Sequence, residues 1–458
     1  MIEEKGSFRD PAGKIFYYKN RVYRKLSNLG LERLKFILEK NILEESIKKN
    51  FLINTKITKI ENELDINNKD IIFEHEKIPF ISYPYEWTFS QLKSAAIHHI
   101  DFHLFLLEKN ATLIDASAYN IQFKGSQPIF IDLLSLKKYE EGEFWKGHKQ
   151  FCENFLNPLI LKSKKGISFN NWFKGNLEGI QTSDLNNTLS FFDKLSYNIF
   201  VHVFLLNKLE IKSKKNKSLK VRENKRKFPK KNFVNMLKQL KNFILSLRDK
   251  KNLTTWQNYS KENSYKTKEE KDKIMIVKNF CGKNKINKLL DLGCNDGVYS
   301  KSALSSGCNY VVGIDFDTNA IDKAFQESEK DKINFLPLYF DASNPSSNLG
   351  WDDSERKSLK ERADFDGVIA LAFKHHLAIA KNIPLEKAIK WIMFLAPKGL
   401  IEFVPKNDET IQKMLELKGD IFADYNKENF EKYVLKFGKI IMKDVISESG
   451  RTIYEFQR

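Results

Sequence analysis

The sequence lacks the features that mark several classes of protein. Only four cysteines occur among its 458 residues, and none stands in a paired Cys-x-x-Cys spacing with histidines, so neither a zinc site nor a disulfide framework is predicted. No run approaches the roughly 18 apolar residues of a membrane span, and residues 1–10 contain no apolar core of a signal peptide. With 41% hydrophobic residues the chain can still fill real cores. We therefore expect a globular, cytoplasmic protein of two or three domains.

A dinucleotide-binding turn is also missing, although a related turn is present. Residues 288–297 read as an apolar strand that runs into a turn containing Gly293, Asn295 and Gly297, but no small residue follows at the last position of Gly-x-Gly-x-x-Gly. Nicotinamide cofactors therefore fit poorly. The next apolar run ends in Asp315, which lies 22 positions after Gly293. That is close to the offset of about 20 residues at which a carboxylate can bind both hydroxyls of a ribose.

These residues resemble class I S-adenosylmethionine-dependent methyltransferases, whose first motif is an acidic residue followed by Gly-x-Gly-x-Gly. The acid of the motif falls at Asp291, and its turn falls at Gly293, Asn295 and Gly297. The resemblance implies that these four residues and Asp315 bind S-adenosyl-L-methionine. For Asp315 the alternative is an ordinary acid at the end of a strand.

Later segments follow the same pattern in order. The resemblance implies a Rossmann-like, doubly wound α/β sheet of seven strands over residues 255–458, and it places Asp341 at the adenine amino group of the cofactor. The third, fourth and fifth strands and the closing hairpin are predicted at 333–341, 363–372, 399–405, and 439–445 with 452–456.

Candidate catalytic and acceptor-binding residues lie in the loops of this sheet. His375 and His376 follow the fourth strand, at the edge where open α/β sheets bind their ligands. An imidazole near its ordinary pKa of about 6.5 can take a proton from the methyl acceptor, but packing or loop capping is an equal alternative. In the long loop before that strand, Trp351 is predicted to bind the acceptor by stacking, or else to anchor a lid.

The amino-terminal half contains a second pattern. A long helical pattern at 89–109 leads to Asp115, Asn120 follows five positions later on a loop, and Asp132 stands on a strand 12 positions after that. The set resembles the catalytic and metal-binding segments of protein-kinase-like and small-molecule kinases. In such a site one carboxylate orients a hydroxyl, while the asparagine and the second carboxylate hold Mg²⁺ against phosphates.

This second resemblance has clear departures. No glycine-rich loop precedes a strand lysine, residues 113–114 are Leu-Ile where His-Arg is usual, and residues 133–134 are Leu-Leu where Phe-Gly is usual. A hairpin at 14–25 would belong to a small amino-terminal lobe, with a hinge at 83–87. We therefore expect a kinase-like α+β domain and leave its activity open, because turn-forming and loop-capping roles explain the same residues.

A basic connector separates the two halves. Residues 208–251 hold 17 Lys or Arg and three Asp or Glu, and an amphipathic helix is predicted at 232–248. Such a segment can bind an anionic membrane surface or nucleic acid. The alternative is a solvated loop followed by a packed helix, and we favour it because the chain is lysine-rich elsewhere. Trp256, Tyr259 and Tyr265 then precede the sheet and could cover its cofactor crevice.

Taken together, the sequence predicts a kinase-like domain at 1–205, a basic helical connector at 206–254 and a methyltransferase domain at 255–458. The whole is similar to bacterial methyltransferases attached to nodulation-factor or surface-glycan pathways, which suggests a carbohydrate hydroxyl as the acceptor. Two alternatives stay open. One is a catalytically silent scaffold or nucleotide-binding protein. The other is an RNA methyltransferase recruited by the connector, which is weakened because no Asn-Pro-Pro-Tyr type motif follows the fourth strand.

Overall fold

The computed structural model describes residues 2–58, 71–215, 227–250 and 267–458. Contacts between residues divide the chain into two compact units. The first comprises Met1–Lys124, Pro128–Asn252 and Asn348–Arg356, and the second comprises Gly125–Gln127, Leu253–Ser347 and Lys357–Arg458. Part of the basic connector, the predicted boundary at residue 254, and Trp256, Tyr259 and Tyr265 lie outside the described residues.

The division differs from the predicted domains in three respects, of which the first is that Gly125–Gln127 belongs to the second unit. The described part of the connector belongs to the first unit, and so does Asn348–Arg356, which the sequence assigned to the methyltransferase domain. Among the described residues no helix is long and apolar enough to cross a membrane.

The first unit contains a five-stranded antiparallel sheet in the order β1-β2-β3-β5-β4. Its strands are β1 Ile2–Glu3, β2 Gly13–Tyr18, β3 Arg21–Leu26, β4 Thr55–Thr58 and β5 Ile72–His75. The hairpin predicted at 14–25 is confirmed. Lys19 and Asn20 at its tip both have positive φ, the geometry of the two-residue turn that suits the twist of antiparallel strands. Two short pairs follow, which are β6 Ala111–Leu113 with β9 Leu136–Lys138, and β7 Ile121–Lys124 with β8 Gln127–Phe130.

Helices complete the first unit. They are α1 Asn28–Glu39, α2 Ile42–Lys48, α3 Phe89–Glu108, α4 His148–Phe151, α5 Asn157–Lys165, α6 Asn170–Gly175, α7 Thr182–Thr188, α8 Tyr197–Ile199, α9 Leu206–Lys215 and α10 Lys230–Ser246, with π-helical segments at Cys152–Leu156 and Phe200–Leu205. The long helix α3 begins at a capping box, in which Thr88 and Gln91 exchange side-chain and backbone hydrogen bonds.

Helix α10 is the amphipathic helix predicted after the basic segment. It packs on α3 and buries an apolar stripe of Phe233, Leu237, Leu240 and Ile244. The Lys241 ammonium also binds Asp101 of α3 at 2.5 Å. Because this apolar face is already covered, the structure agrees with the packed-helix alternative, and only the lysines of this segment remain for an anionic surface.

The second unit is a doubly wound sheet of seven strands in the order β12-β11-β10-β13-β14-β16-β15. The strands are β10 Lys288–Leu292, β11 Tyr310–Asp315, β12 Phe335–Tyr339, β13 Gly367–Ala370, β14 Lys398–Phe403, β15 Lys439–Val445 and β16 Thr452–Gln457. β10 to β14 run parallel, and β16 and β15 close the sheet as an antiparallel hairpin. The predicted methyltransferase sheet is therefore confirmed, whereas the kinase-like fold of the first unit stays a prediction.

Helices lie between these strands, as doubly wound folds require. They are α11 Thr267–Asn284, α12 Val298–Ser305, α13 Thr318–Asp331, α14 Leu359–Arg362, α15 Leu385–Met393, α16 Glu409–Lys418 and α17 Lys427–Phe437, with a π-helical segment at His376–Ala380. Strand β10 is flanked by β11 on one side and by β13 on the other, so the strand order reverses at β10. This switch point is the place where open α/β sheets bind ligands.

The turn after β10 imposes a tight steric limit. Gly297 has φ of +84°, and a Cβ there would overlap the ring of Phe335. Gly307 has φ of +98°, but a Cβ there would meet no atom within 4 Å.

We expect Gly297→Ala to lower the free energy of unfolding more than Gly307→Ala does. Both variants lose about 1–2 kcal/mol because alanine is strained at positive φ, and only Gly297→Ala adds an overpacking cost of about 1–3 kcal/mol. Equilibrium urea unfolding measures the difference. Equal losses of unfolding free energy in the two variants would contradict the close approach of Phe335 to Gly297.

Candidate functional site

The glycine turn of the second unit has the backbone conformation that a cofactor turn needs. Gly293, Asn295 and Gly297 all have positive φ, at 77°, 49° and 84°. A Cβ on Gly293 would lie 2.9 Å from the ring of Phe373, so the loops after β10 and β13 touch at the switch point. The place of a Gly293 side chain is therefore taken by Phe373, and a larger residue there would push the two loops apart.

The Asp315 carboxylate is fixed beside this turn. One oxygen accepts a hydrogen bond from the Asn295 backbone N–H at 2.9 Å, and the other accepts from the Asp317 N–H at 2.9 Å. Burial raises the pKa of the Asp315 carboxyl, while these two hydrogen bonds act in the opposite direction. A carboxylate has about four acceptor sites. The orientation therefore leaves Asp315 able to accept from further hydroxyls.

Asp291 lies beneath the turn and is only 1% exposed. Its Oδ2 accepts a hydrogen bond from the Ser300 hydroxyl of α12 at 2.7 Å. Burial raises the pKa of Asp291 to about 7, and the charge of Asp315 adds to the effect. This position supports the turn from within the core, so a direct contact between Asp291 and the cofactor stays a prediction.

Asp341 follows the neighbouring strand β12. Its Oδ1 accepts from the Ser343 N–H at 2.9 Å and from the Ser343 hydroxyl at 2.6 Å. The side chain is partly buried at the same edge of the sheet as Asp315, because β11 and β12 are parallel neighbours. The two carboxylates therefore offer acceptors to a ligand that carries both hydroxyl and amino donors.

The histidines after β13 are more buried than the sequence predicts. His375 is 1% exposed, and neither ring nitrogen has a hydrogen-bond partner among the described residues. The ring of His376 lies beside it, with 4.3 Å between the centroids. Burial lowers the pKa of His375 and brings that of His376 to about 4. The expectation of an ordinary imidazole pKa is therefore wrong for both residues, since desolvation penalises the charged ring.

Sequence reasoning missed two buried charges next to these histidines. Lys374 donates to the Tyr425 hydroxyl at 2.9 Å, and burial lowers its pKa to about 7. Glu402 on β14 binds Lys273 of α11 at 2.7 Å and accepts from the Ala372 N–H at 2.7 Å. The only sign of this buried pair in the sequence was Glu402 itself, an acid among the apolar residues of β14.

The residues of the kinase-like pattern come together in the first unit. Asp115, Asn120 and Asp132 line one cavity of about 360 Å³. Burial raises the pKa of the Asp115 carboxyl, and hydrogen bonding by the Ser117 N–H partly offsets this. The grouping that the sequence predicted therefore exists in three dimensions.

An arginine that sequence reasoning missed binds two carboxylates of this cavity. Arg24 on β3 is buried and binds Asp132 at 2.7 Å, and it also binds Asp10. Burial would raise the pKa of Asp132, but Arg24 and the Ser135 hydroxyl outweigh it and hold the pKa below its usual value. Asp132 is therefore ionised, and a cation is already in contact with it.

The segment Asn348–Arg356 also contributes to the cavity of the first unit. The Arg356 guanidinium lies 4.0 Å from the centre of the Tyr119 ring, and Glu355 binds Arg9. Trp351 belongs to the same segment and is 69% exposed. Its contact with a methyl acceptor stays a prediction.

We expect Asp291→Asn to change how stability depends on pH. An unfolded aspartate has a pKa of about 3.9, below the folded value of about 7, so the wild type loses stability as pH rises through this window. The variant lacks that loss. Its unfolding free energy relative to wild type should increase by at most about 1.4 kcal/mol per pH unit between about pH 4 and pH 7.

Urea unfolding across this range measures the difference. The matched control is Asp366→Asn, whose carboxylate accepts backbone bonds at the opposite end of the sheet. A pH-independent difference for Asp291→Asn would exclude the raised pKa.

Comparison with known proteins identifies the family of the chain. No family model matches the chain. Among solved structures, WbdD is 16% identical to this chain, with a TM-score of 0.30; the match covers 45% of this chain and 43% of WbdD. The PH0226 protein of Pyrococcus horikoshii OT3 is also 16% identical, with a TM-score of 0.32; the match covers 44% of this chain and 97% of PH0226. The nodulation protein NoeA of Rhizobium meliloti (strain 1021) is 40% identical over 456 residues, which cover 99% of this chain and 95% of NoeA. The chain therefore belongs to the family of the nodulation protein NoeA.

Proposed function

We propose that the second unit transfers the methyl group of S-adenosyl-L-methionine to an acceptor. The observation that carries the proposal is the Asp315 carboxylate, which two backbone N–H groups fix beside a glycine turn at the switch point of the sheet. A ribose needs such an acceptor at this place. The three positive φ angles of the turn are those of a glycine-rich cofactor turn.

Each residue then has a defined role. Asp315 would accept from the ribose hydroxyls, Asp341 from the adenine amino group, and the turn at Gly293–Gly297 would border the rest of the cofactor. The sulfonium of the bound cofactor supplies an activated methyl group. The protein has to align the acceptor with that group, and positioning of this kind can supply most of a rate enhancement.

A proton must leave when the acceptor is a hydroxyl. His375 and His376 are neutral near pH 7, because burial lowers both pKa values. A neutral imidazole can accept a hydrogen bond or a proton. The unpartnered ring nitrogens of His375 therefore make it the stronger candidate of the pair.

For the acceptor we propose a carbohydrate hydroxyl. The support is the relationship to a nodulation protein, together with the sequence resemblance to methyltransferases of nodulation-factor and surface-glycan pathways. Of the other partners, an anionic membrane surface would be met by the lysines of residues 208–251, and nucleic acid is the weaker candidate. Binding of RNA that is lost at high salt would favour the RNA alternative.

We expect Asp315→Ala to weaken binding of S-adenosyl-L-methionine by tenfold or more, because the ribose loses its acceptor. Isothermal titration of the full chain measures the affinity. Asp366→Ala is the matched control, since it removes a carboxylate from the amino end of the same sheet and should leave the affinity unchanged. No binding by folded wild type would instead favour the silent scaffold.

A second candidate function concerns the cavity of the first unit. We propose that it binds a phosphorylated ligand. Asp115, Asn120 and Asp132 line the cavity, and so do three arginines (Arg9, Arg33 and Arg356) and three further carboxylates (Asp10, Glu178 and Glu355). Arginine suits phosphate oxygens. Bound Mg²⁺ would have to share Asp132 with Arg24, which distinguishes this cavity from an ordinary kinase site.

We expect Asp132→Asn to abolish Mg²⁺-dependent binding of an ATP analogue, because it removes the ionised ligand for the metal. Equilibrium dialysis with and without Mg²⁺ measures it. Asp193→Asn is the control, since Asp193 binds Lys165 and does not line the cavity. If the wild type binds no nucleotide, the kinase resemblance is structural only.

A further inference from the structure

Three side chains with metal-binding chemistry meet in the first unit, outside the cavity described above. They are His148, Cys152 and His202, and their ligand atoms all lie within 4.8 Å of one another. The sequence predicted no metal site, because its cysteines have no paired spacing. The cluster escaped that reasoning because His202 stands 50 residues after Cys152 in the chain.

The spacing of the ligand atoms is close to that of a metal centre. His148 Nε2 lies 2.9 Å from His202 Nδ1 and 3.7 Å from Cys152 Sγ. Metal bonds of about 2.0 Å to nitrogen and about 2.3 Å to sulfur, at tetrahedral angles, separate such atoms by about 3.3–3.6 Å. The third pair, Cys152 and His202, has its ligand atoms within 4.8 Å, so shifts of up to about 1 Å would make room for an ion.

The backbone presents these ligands from two helices. His148 and Cys152 are four residues apart, so they lie on one face of a helix. That helix becomes π-helical at Cys152–Leu156, and His202 lies in the second π-helical segment, Phe200–Leu205. Such segments are rare and occur frequently at functional sites. Here each of them carries one of the three ligands.

We propose that His148, Cys152 and His202 bind a borderline-soft divalent cation of the Zn²⁺ class. Two imidazoles and a thiolate suit Zn²⁺. On binding, the Cys152 S–H bond is replaced by a metal–sulfur bond and the proton passes to solvent. His148 is partly exposed, which gives the ion a route from solvent, and the Glu153 and Glu210 carboxylates lie near Cys152 with Lys149 between them.

The site would also stabilise the loop that carries Asp115. On the same helical segment, Gln150 Oε1 accepts from the Ala116 N–H at 2.8 Å, and Asn154 Oδ1 accepts from the Ala118 N–H at 3.1 Å. One face of the segment thus holds the cavity loop, while the other carries two of the metal ligands. A bound ion would fix the segment and hence the loop.

The competing explanation is a plain hydrogen bond between His148 and His202, with a buried thiol beside it. The two explanations differ in whether the thiol ionises against a metal. Co²⁺ separates them, because cobalt bound to a thiolate absorbs by sulfur-to-metal charge transfer.

The experiment uses the full chain, freed of metal by a chelator and titrated with Co²⁺ under anaerobic, reducing conditions. We expect one Co²⁺ per chain, a thiolate charge-transfer band, and displacement of the band by Zn²⁺. Cys152→Ser should abolish the band and weaken Zn²⁺ binding at least tenfold. Cys308→Ser, which removes another buried thiol in the second unit, should leave both unchanged.

Circular dichroism establishes that each variant is folded. If Cys152→Ser does not fold, His148→Gln at the partly exposed position provides the same test, with loss of stoichiometric Co²⁺ as its readout. The proposal is overturned if folded wild type binds no Co²⁺, or if the band is the same in Cys152→Ser.

Discussion

The buried carboxylate of Glu402 ties together three separate parts of the second unit. It binds Lys273 on the helix before the sheet, accepts from the Ala372 N–H in the loop after β13, and faces Arg451 directly before β16 of the closing hairpin. Buried charges are costly, and removing one partner of such a group costs about 3–5 kcal/mol because the others are left uncompensated. The loop that presents the two histidines therefore depends on a buried acid of the neighbouring strand β14.

Arg24 has the corresponding place in the first unit. It joins the amino-terminal Asp10 to Asp132, and so brings a strand of the five-stranded sheet against the loop after β8. The same pairing keeps Asp132 ionised and already neutralised. Five carboxylates and three arginines line this cavity, so a ligand there meets charges of both signs rather than a purely acidic site.

Much of the second unit could be predicted because parallel strands are buried on both faces and therefore read as apolar runs. Asp315 was visible for the same reason, since it ends such a run. Charged residues inside apolar segments were harder to predict as buried, because their partners are distant in the chain. Lys374, for example, donates to Tyr425, 51 residues away. Arg24 pairs with Asp132 across 108 residues, and Asn348–Arg356 belongs to the first unit. Neither relationship leaves a local pattern in the sequence.

The depressed pKa values of the histidine pair limit what these residues can do. With the pKa of His376 at about 4, the imidazole is neutral throughout the physiological range and supplies no proton. A base this weak takes a proton from a hydroxyl only as the methyl group is transferred and the oxygen becomes acidic. Under the proposed methyl transfer, alignment of the acceptor would therefore supply more of the rate than proton removal. The same burial would suit the proposed cationic cofactor, because a neutral imidazole adds no positive charge.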